Sequence, residues 1–292
     1  MSTFLQRVRL TLEMIKFEHS VFALPFALTG ALLAWRDADF ERQGLAWRLF
    51  WIVVCMVAAR SVAMAFNRVL DADIDAKNPR TASRHLPSGM LTRRFACGFI
   101  IFWSLVFIFG AAELNPLCRM LSPLALGTVM FYSYTKRFTA LSHVVLGFSL
   151  GMAPAAAWIA MRGSLDPHIL WLTAAVTLWT AGFDMIYACQ DYAFDVHSGL
   201  HSVPQRFGIA GALWISRAMH VGMIVCLIVL VRLFELGTIA KIGVAAVAAL
   251  LIWEHRLVRA DDLSRIDAAF FTMNGYVSMI FFLFWATDIL IK

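Results

Sequence analysis

Long apolar runs recur along this chain, and nothing else in it constrains the fold as much. Nine can be drawn, at about 19–36, 48–70, 95–113, 116–135, 141–162, 168–189, 209–232, 236–254 and 268–290. Each is about 17–24 residues long, enough for an α-helix rising about 1.5 Å per residue to cross a hydrocarbon core of about 30 Å. Composition agrees, since 61% of the 292 residues are hydrophobic, where about half is usual for a soluble domain. The expected class is all-α, a polytopic membrane protein.

The formal charge of +6 would suit a nucleic-acid partner, but the basic residues gather in the loops between apolar runs. That is the positive-inside pattern, so the bilayer is the expected partner and nucleic acid is not. With the N-terminus inside, the inner segments are the N-terminal arm and loops 71–94, 136–140, 190–208 and 255–267. Counting Arg68 with the second of these, they hold 15 of the 25 Lys+Arg, and the outer segments hold 8. Arg36, Arg42 and Arg48 on the outer side run against the trend, and Arg60 and Arg217 fall within spans. The expectation is a multi-pass protein of the inner (cytoplasmic) membrane with a cytoplasmic N-terminus. No cleavable leader is expected; the first 19 residues, with Arg7, Arg9, Glu13, Lys16 and Glu18, read as a surface amphipathic helix. The five cysteines lie scattered in apolar segments without CxxC spacing and read as reduced packing residues.

Two acidic stretches stand out against this background. In Asn67-Arg68-Val69-Leu70-Asp71-Ala72-Asp73-Ile74-Asp75, a helix carried on to Asp75 places Asn67, Asp71 and Asp75 on one face. In Asp184-Met185-Ile186-Tyr187-Ala188-Cys189-Gln190-Asp191-Tyr192-Ala193-Phe194-Asp195, steps of seven and four residues keep Asp184, Asp191 and Asp195 in a narrow stripe at about 100° per residue. Each stretch leads into a basic, turn-rich loop. The first carries Lys77, Arg80, Arg84, His85, Arg93 and Arg94, and the second runs from His197 to Arg206; the recurrence suggests a weak internal repeat. Arg60 lies two turns deeper than Asn67 on the same face, where a charge costs roughly 2.5–3.5 kcal/mol and turns to the bundle interior.

Six carboxylates at two helix ends repel one another unless something positive joins them. Salt bridges with Arg68, Lys77 and Arg80 would make a solvated face, and a chain of carboxylates would make an ion pathway. The third reading is a divalent-cation site. Mg²⁺ takes oxygen ligands, keeps waters, and is shared between a few carboxylates and substrate phosphates. Two carboxylate stripes beside basic loops suit a diphosphate, and a membrane position suits a substrate with a hydrocarbon tail.

The stretch Asn67–Asp75, followed by Asn78-Pro79-Arg80-Thr81, resembles the first Asp-rich motif (NxxxDxxxD) of the UbiA superfamily of intramembrane aromatic prenyltransferases. Asp184–Asp195 is similar to the second motif, with Gly199, Ser202, Pro204, Arg206 and Gly208 continuing the match, and Tyr132–Arg137 resembles the family's YxxxKR loop. The resemblance covers essentially the whole chain. It implies one domain over residues 1–292, nine transmembrane helices around a central cavity, and Mg²⁺-dependent ionisation of a prenyl diphosphate that alkylates an aromatic ring in quinone biosynthesis. One departure is Arg68, where quinone-pathway and chlorophyll-pathway members often have Asp. Lys-Phe-Glu-His and Ala-Leu-Pro-Phe in the first span are closer to a 4-hydroxybenzoate polyprenyltransferase-like bacterial subgroup. That subgroup leaves 4-hydroxybenzoate and a dihydroxynaphthoate of the menaquinone route as acceptors.

Carried onto these positions, the resemblance implies that Asn67, Asp71 and Asp75 hold one Mg²⁺ and that Asp191 and Asp195 hold a second. The diphosphate bridges both, with Arg80, Lys136 and Arg137 on its oxygens. Asp71, Asp191, Lys136 and Arg80 are the expected catalytic set; Arg60, Arg137, Tyr187, Asp184 and Asn274 are the expected substrate contacts, with Arg60 on the acceptor's carboxylate. Other acceptors, such as homogentisate, share this fold. A transporter using buried carboxylates and a non-catalytic scaffold are the readings from other classes.

Overall fold

The computed structural model of the chain describes residues 4–15, 22–36 and 44–291, with side chains from residue 9 onward. Lys16, Glu18, Arg42 and the start of the first expected span lie outside these residues. The helices are α1 (Phe4–Met14), α2 (Leu24–Arg36), α3 (Leu45–Asp75), α4 (Arg93–Leu114), α5 (Pro116–Thr135) and α6 (Ser142–Arg162). They continue as α7 (Leu170–Ala188), α8 (Tyr192–Ser198), α9 (Val203–Leu233), α10 (Thr238–Leu257) and α11 (Asn274–Ile291). Among the described residues extended pairing is confined to one isolated bridge, Arg259 with Asp262, so the all-α expectation holds. Seven helical segments among them are long and apolar enough to cross a membrane: Leu45–Asp75, Arg93–Leu114, Ser142–Arg162, Pro167–Ser198, Val203–Leu233, Thr238–Leu257 and Ala268–Ile291. Two of the nine expected spans fall outside this set. The α2 helix is described over 13 residues, and α5 dilutes its apolar run with Arg119, Ser122, Pro123 and Ser133.

The chain divides into two compact units, Met1–Ser20 with Trp51–Tyr134 and Val21–Phe50 with Thr135–Lys292. In the first, α1 is amphipathic as expected: Leu12 and Glu13 are exposed, while Thr11, Met14 and Ile15 are buried. Arg9 Nε donates to Glu13 Oε1 at 2.8 Å, and His85 Nε2 lies 3.5 Å from Glu13 Oε2. The α4 helix starts on Thr92, whose hydroxyl accepts the Phe95 N–H. It meets α3 at Gly110, where a Cβ would stand 2.9 Å from Cys55 Sγ and 3.0 Å from the Trp51 ring.

In the second unit the helices meet through small residues. Gly147 and Gly151 lie four apart on α6, and a Cβ at either would collide with Thr177 of α7. Gly30 of α2 lies as close against Pro154. Lipid removes the hydrophobic drive between helices, so such close approach and interhelical hydrogen bonds have to hold them. The bonds are there. Trp179 Nε1 donates to Asn274 Oδ1 at 2.7 Å, and the Asn274 amide is shared among Glu254 Oε1 and the carbonyls of Ala269 and Phe270. His220 joins α9 to this group through His255 at 3.0 Å and the Trp179 carbonyl at 3.2 Å. Residues Ala268–Met273 form a π-helical turn, whose wider winding leaves carbonyls for the Asn274 amide to take.

All five cysteines are free; Cys189 and Cys226 are buried, but Cys97 is exposed on α4, so it is not the packing residue expected of it.

Candidate functional site

The first acidic stretch closes α3, which runs unbroken to Asp75, so Asn67, Asp71 and Asp75 share a face as their spacing required. Asn67 Nδ2 donates to Asp71 Oδ2 at 3.0 Å, leaving the amide oxygen without a hydrogen bond among the described residues. Asp71 and Asp75 are buried. A helix C-terminus is the negative end of the peptide dipole and resists carboxylates. The chain answers with cations: Arg84 Nη1 reaches both Asp75 oxygens, at 2.7 and 2.8 Å, and Arg68 Nη1 lies 4.0 Å from Oδ2. Arg93 pairs with exposed Asp73.

The following loop is built, not slack. Thr81 Oγ1 donates to the Asp75 carbonyl at 3.0 Å, and Asn78 Oδ1 accepts the Arg80 N–H at 3.0 Å. Asn78 and Thr81 are buried while Pro79 and Arg80 are exposed at the tip. In the sequence Arg84 is one cation among several in this loop. Its partner lies nine residues back across a turn, a distance no helical period marks.

The second stretch departs from its expected form. The α7 helix ends at Ala188, a 3₁₀ turn covers Cys189–Asp191, and α8 begins at Tyr192. A 3₁₀ turn winds three residues per turn in place of 3.6, so no single α-helical stripe carries Asp184, Asp191 and Asp195. Two of the three have hydrogen-bond partners from other elements. His143 Nδ1 lies 2.7 Å from Asp184 Oδ2, and Ser202 Oγ donates to Asp195 Oδ2 at 2.8 Å. The same hydroxyl accepts the Gln205 N–H and so caps α9. Gly199 ends α8 with φ 66°, and Gly208 kinks α9 with φ 71°, ψ 168°. Both are left-handed positions that a side chain would strain. Lys136 is half-buried in the preceding loop; its carbonyl accepts the His201 N–H at 2.8 Å and its ammonium lies within electrostatic reach of Asp195. Arg137 is half-buried beside it.

Two expected substrate contacts have other surroundings. The Tyr187 ring packs on Phe270, centroids 4.1 Å apart, and edge-on to Phe271 at 5.9 Å. Phe183 continues this wall at 5.3 Å from Phe270. Asn274 is fully buried, and its amide bonds Trp179, Glu254 and the π-turn carbonyls. It ties α7, α10 and the π-turn to α11. Arg60 sits half-buried two turns above Asn67 in α3. His143 and Ser202 were missed as site residues, since neither falls within an acidic motif.

The donor chemistry fits a hard divalent cation. Asn67 with Asp71, and Asp191 with Asp195, carry side-chain oxygens of the kind such an ion takes, and Asp75 is bonded to Arg84. No group of three or more His, Cys, Asp or Glu among the described residues is gathered as a metal site.

Comparison with known proteins places these features. The model of the UbiA prenyltransferase family matches residues 23–290. The 4-hydroxybenzoate octaprenyltransferase of Vibrio vulnificus is 30% identical over 243 residues, 81% of this chain and 84% of the relative. A UbiA homolog from Aeropyrum pernix K1, solved in its apo form, superposes with a TM-score of 0.83 at 34% identity, covering 93% of this chain and 98% of that one. A UbiA homolog from Archaeoglobus fulgidus bound to GPP and Mg²⁺ shares the fold at 17% identity, with a TM-score of 0.75 over 96% of this chain and 99% of that one.

Proposed function

Since the chain belongs to the UbiA prenyltransferase family and is an aromatic prenyltransferase, we propose that it transfers a polyprenyl group from a prenyl diphosphate to a ring carbon of 4-hydroxybenzoate in quinone biosynthesis. The observation that carries this is the paired Asn67 and Asp71 at the end of α3, which offers hard oxygen ligands beside a loop that exposes Arg80. The relatives named for 4-hydroxybenzoate and the archaeal homologs solved with GPP or DMAPP and Mg²⁺ support donor and acceptor classes. Arg68 in the first motif favours a second reading, in which a dihydroxynaphthoate is the acceptor. Nine spans, a cytoplasmic N-terminus, a location in the inner membrane and one domain over 1–292 belong to the same proposal, the orientation being supported by the excess of basic residues on the inner segments.

Asn67 and Asp71 would hold one Mg²⁺, and Asp191 with Asp195 another; when bound, the metal supplies charge that stabilises the leaving diphosphate. Asp75 takes a supporting part, because Arg84 already occupies both its oxygens and fixes the loop carrying Arg80. Arg80, Lys136 and Arg137 bind the outer phosphate oxygens as charge-assisted donors. Asp184 contacts the donor end of the substrate. The Tyr187, Phe183 and Phe270 rings are an apolar surface that keeps water from the allylic carbon as its C–O bond breaks. The ring carbon ortho to the phenol then forms the C–C bond to the allylic carbon, and its proton passes to the released diphosphate or to a carboxylate, restoring aromaticity. Arg60 meets the acceptor's carboxylate, whose unpaired burial would cost several kcal/mol.

Washed membranes given a radiolabelled prenyl diphosphate with 4-hydroxybenzoate, dihydroxynaphthoates or homogentisate in parallel test this. Mg²⁺-dependent diphosphate release and labelling of 4-hydroxybenzoate are expected, with Arg60→Ala raising the acceptor KM more than the donor KM. Labelling of homogentisate alone rejects the acceptor reading.

A further inference from the structure

The imidazole of His143 is almost fully buried, 4% exposed, at the second position of α6. Its two nitrogens are both engaged, and one of them fixes the other. The Val203 backbone N–H approaches Nε2 at 3.2 Å. A backbone amide can only donate, so Nε2 carries a lone pair. The single proton of a neutral imidazole then sits on Nδ1, which lies 2.7 Å from Asp184 Oδ2 and donates to it. The Asp184 side chain remains about a quarter exposed, and its Oδ1 has no hydrogen bond among the described residues.

The 3₁₀ turn at Cys189–Asp191 gives this bridge a task. It interrupts the backbone between Asp184 on α7 and Asp195 on α8, so helical register alone does not fix one carboxylate relative to the other. Ser202 holds Asp195, and the next residue, Val203, is held by His143, which holds Asp184. The two carboxylates are thus tied through a path of three hydrogen bonds that bypasses the irregular turn.

We propose that His143 is a positioning residue of the prenyl-transfer site, a one-tautomer staple that aims the open oxygen of Asp184 at the diphosphate end of the donor. This rests on the reading above that the second acidic stretch receives that diphosphate. A residue serving only to seat α9 would need the Val203 bond alone. A positioning residue needs the Asp184 bond.

The two bonds can be separated by side-chain length. His143→Asn puts an amide donor where Nδ1 stands and loses the acceptor for Val203. His143→Gln puts an acceptor where Nε2 stands and loses the donor to Asp184. Purified enzyme is assayed with donor and acceptor varied separately, and its thermal midpoint is read with and without Mg²⁺ and inorganic diphosphate. The Gln variant is expected to lose about 10–100-fold in kcat/KM for the donor, the scale of a lost supporting hydrogen bond, with the acceptor KM little changed. Its thermal shift on adding Mg²⁺ and diphosphate should fall by at least half. The Asn variant is expected to lose at least fivefold less toward the donor, to keep its shift, and to show the lower midpoint without ligand. Equal donor losses and equal shifts in both variants, or a Gln variant with the wild-type shift, would overturn the assignment. A wild-type enzyme that binds Mg²⁺ and diphosphate but prenylates none of the acceptors offered defeats the acceptor reading and leaves the thermal-shift arm to decide on His143.

Discussion

The two acidic stretches look alike in sequence and are restrained in opposite ways. At the end of α3 the chain meets a buried carboxylate with a cation: Arg84 takes both oxygens of Asp75 and Arg68 stands behind it. Around the 3₁₀ turn after α7 the direct hydrogen bonds come from the His143 imidazole on Asp184 and the Ser202 hydroxyl on Asp195, with the Lys136 ammonium within electrostatic reach of Asp195. A cation cancels charge; a hydroxyl or imidazole N–H orients a carboxylate and leaves it negative. In the first stretch Asp75 is matched by cations, while Asn67 bonds Asp71 one turn earlier on the same face. The second is held by groups that fix direction, with Asp184 Oδ1 unbonded among the described residues.

The sharpest test removes one carboxylate proposed as a metal ligand from each stretch. Asp71→Ala and Asp191→Ala should each cut kcat by at least two to three orders of magnitude, the scale of losing a group that stabilises transition-state charge. Both proteins should stay inserted and keep their wild-type elution in detergent. The Asn variants should retain a little turnover because one oxygen ligand remains. Near-normal rates in both Ala variants would mean that the stretches are solvated faces and the comparison has no functional content.

Next in size is the anchor. Arg84→Ala strands a buried carboxylate and should cost about 3 kcal/mol of stability, read as heat or denaturant unfolding in detergent. Adding Asp75→Ala should recover most of that loss, since the uncompensated charge goes with it. A double variant no more stable than the single would show that Arg84 serves the loop and not Asp75.

A neutral clamp should be worth less. Ser202→Ala removes both the α9 cap and the donor to Asp195, and about 1–2 kcal/mol is expected. Its kcat/KM for the donor should fall roughly tenfold. The smallest effect should come from the exposed pair Arg93–Asp73, where Arg93→Ala should move stability by under about 1 kcal/mol and less still in high salt. An Arg93→Ala loss as large as that of Arg84→Ala would erase the distinction between anchor and surface pair.

What the sequence determined by itself is local. Lengths of apolar runs set an all-helical membrane fold, because a backbone in lipid must bond within its own segment. Spacings of four put Asn67, Asp71 and Asp75 on one face, because α3 continues through them without a break. The amphipathic α1 and the left-handed turn at Gly199 follow from equally short-range rules. Everything that depends on a distant partner was decided by packing. Asn274 became a tie between helices because Trp179 and Glu254 converge on it in a bilayer interior that supplies no water. The second acidic stripe broke into a 3₁₀ turn, and its register passed to His143 and Ser202, 41 and 7 residues away from the carboxylates they hold. No periodicity records such pairings, since a hydrogen bond across the fold depends on where two backbones meet and not on how many residues lie between them.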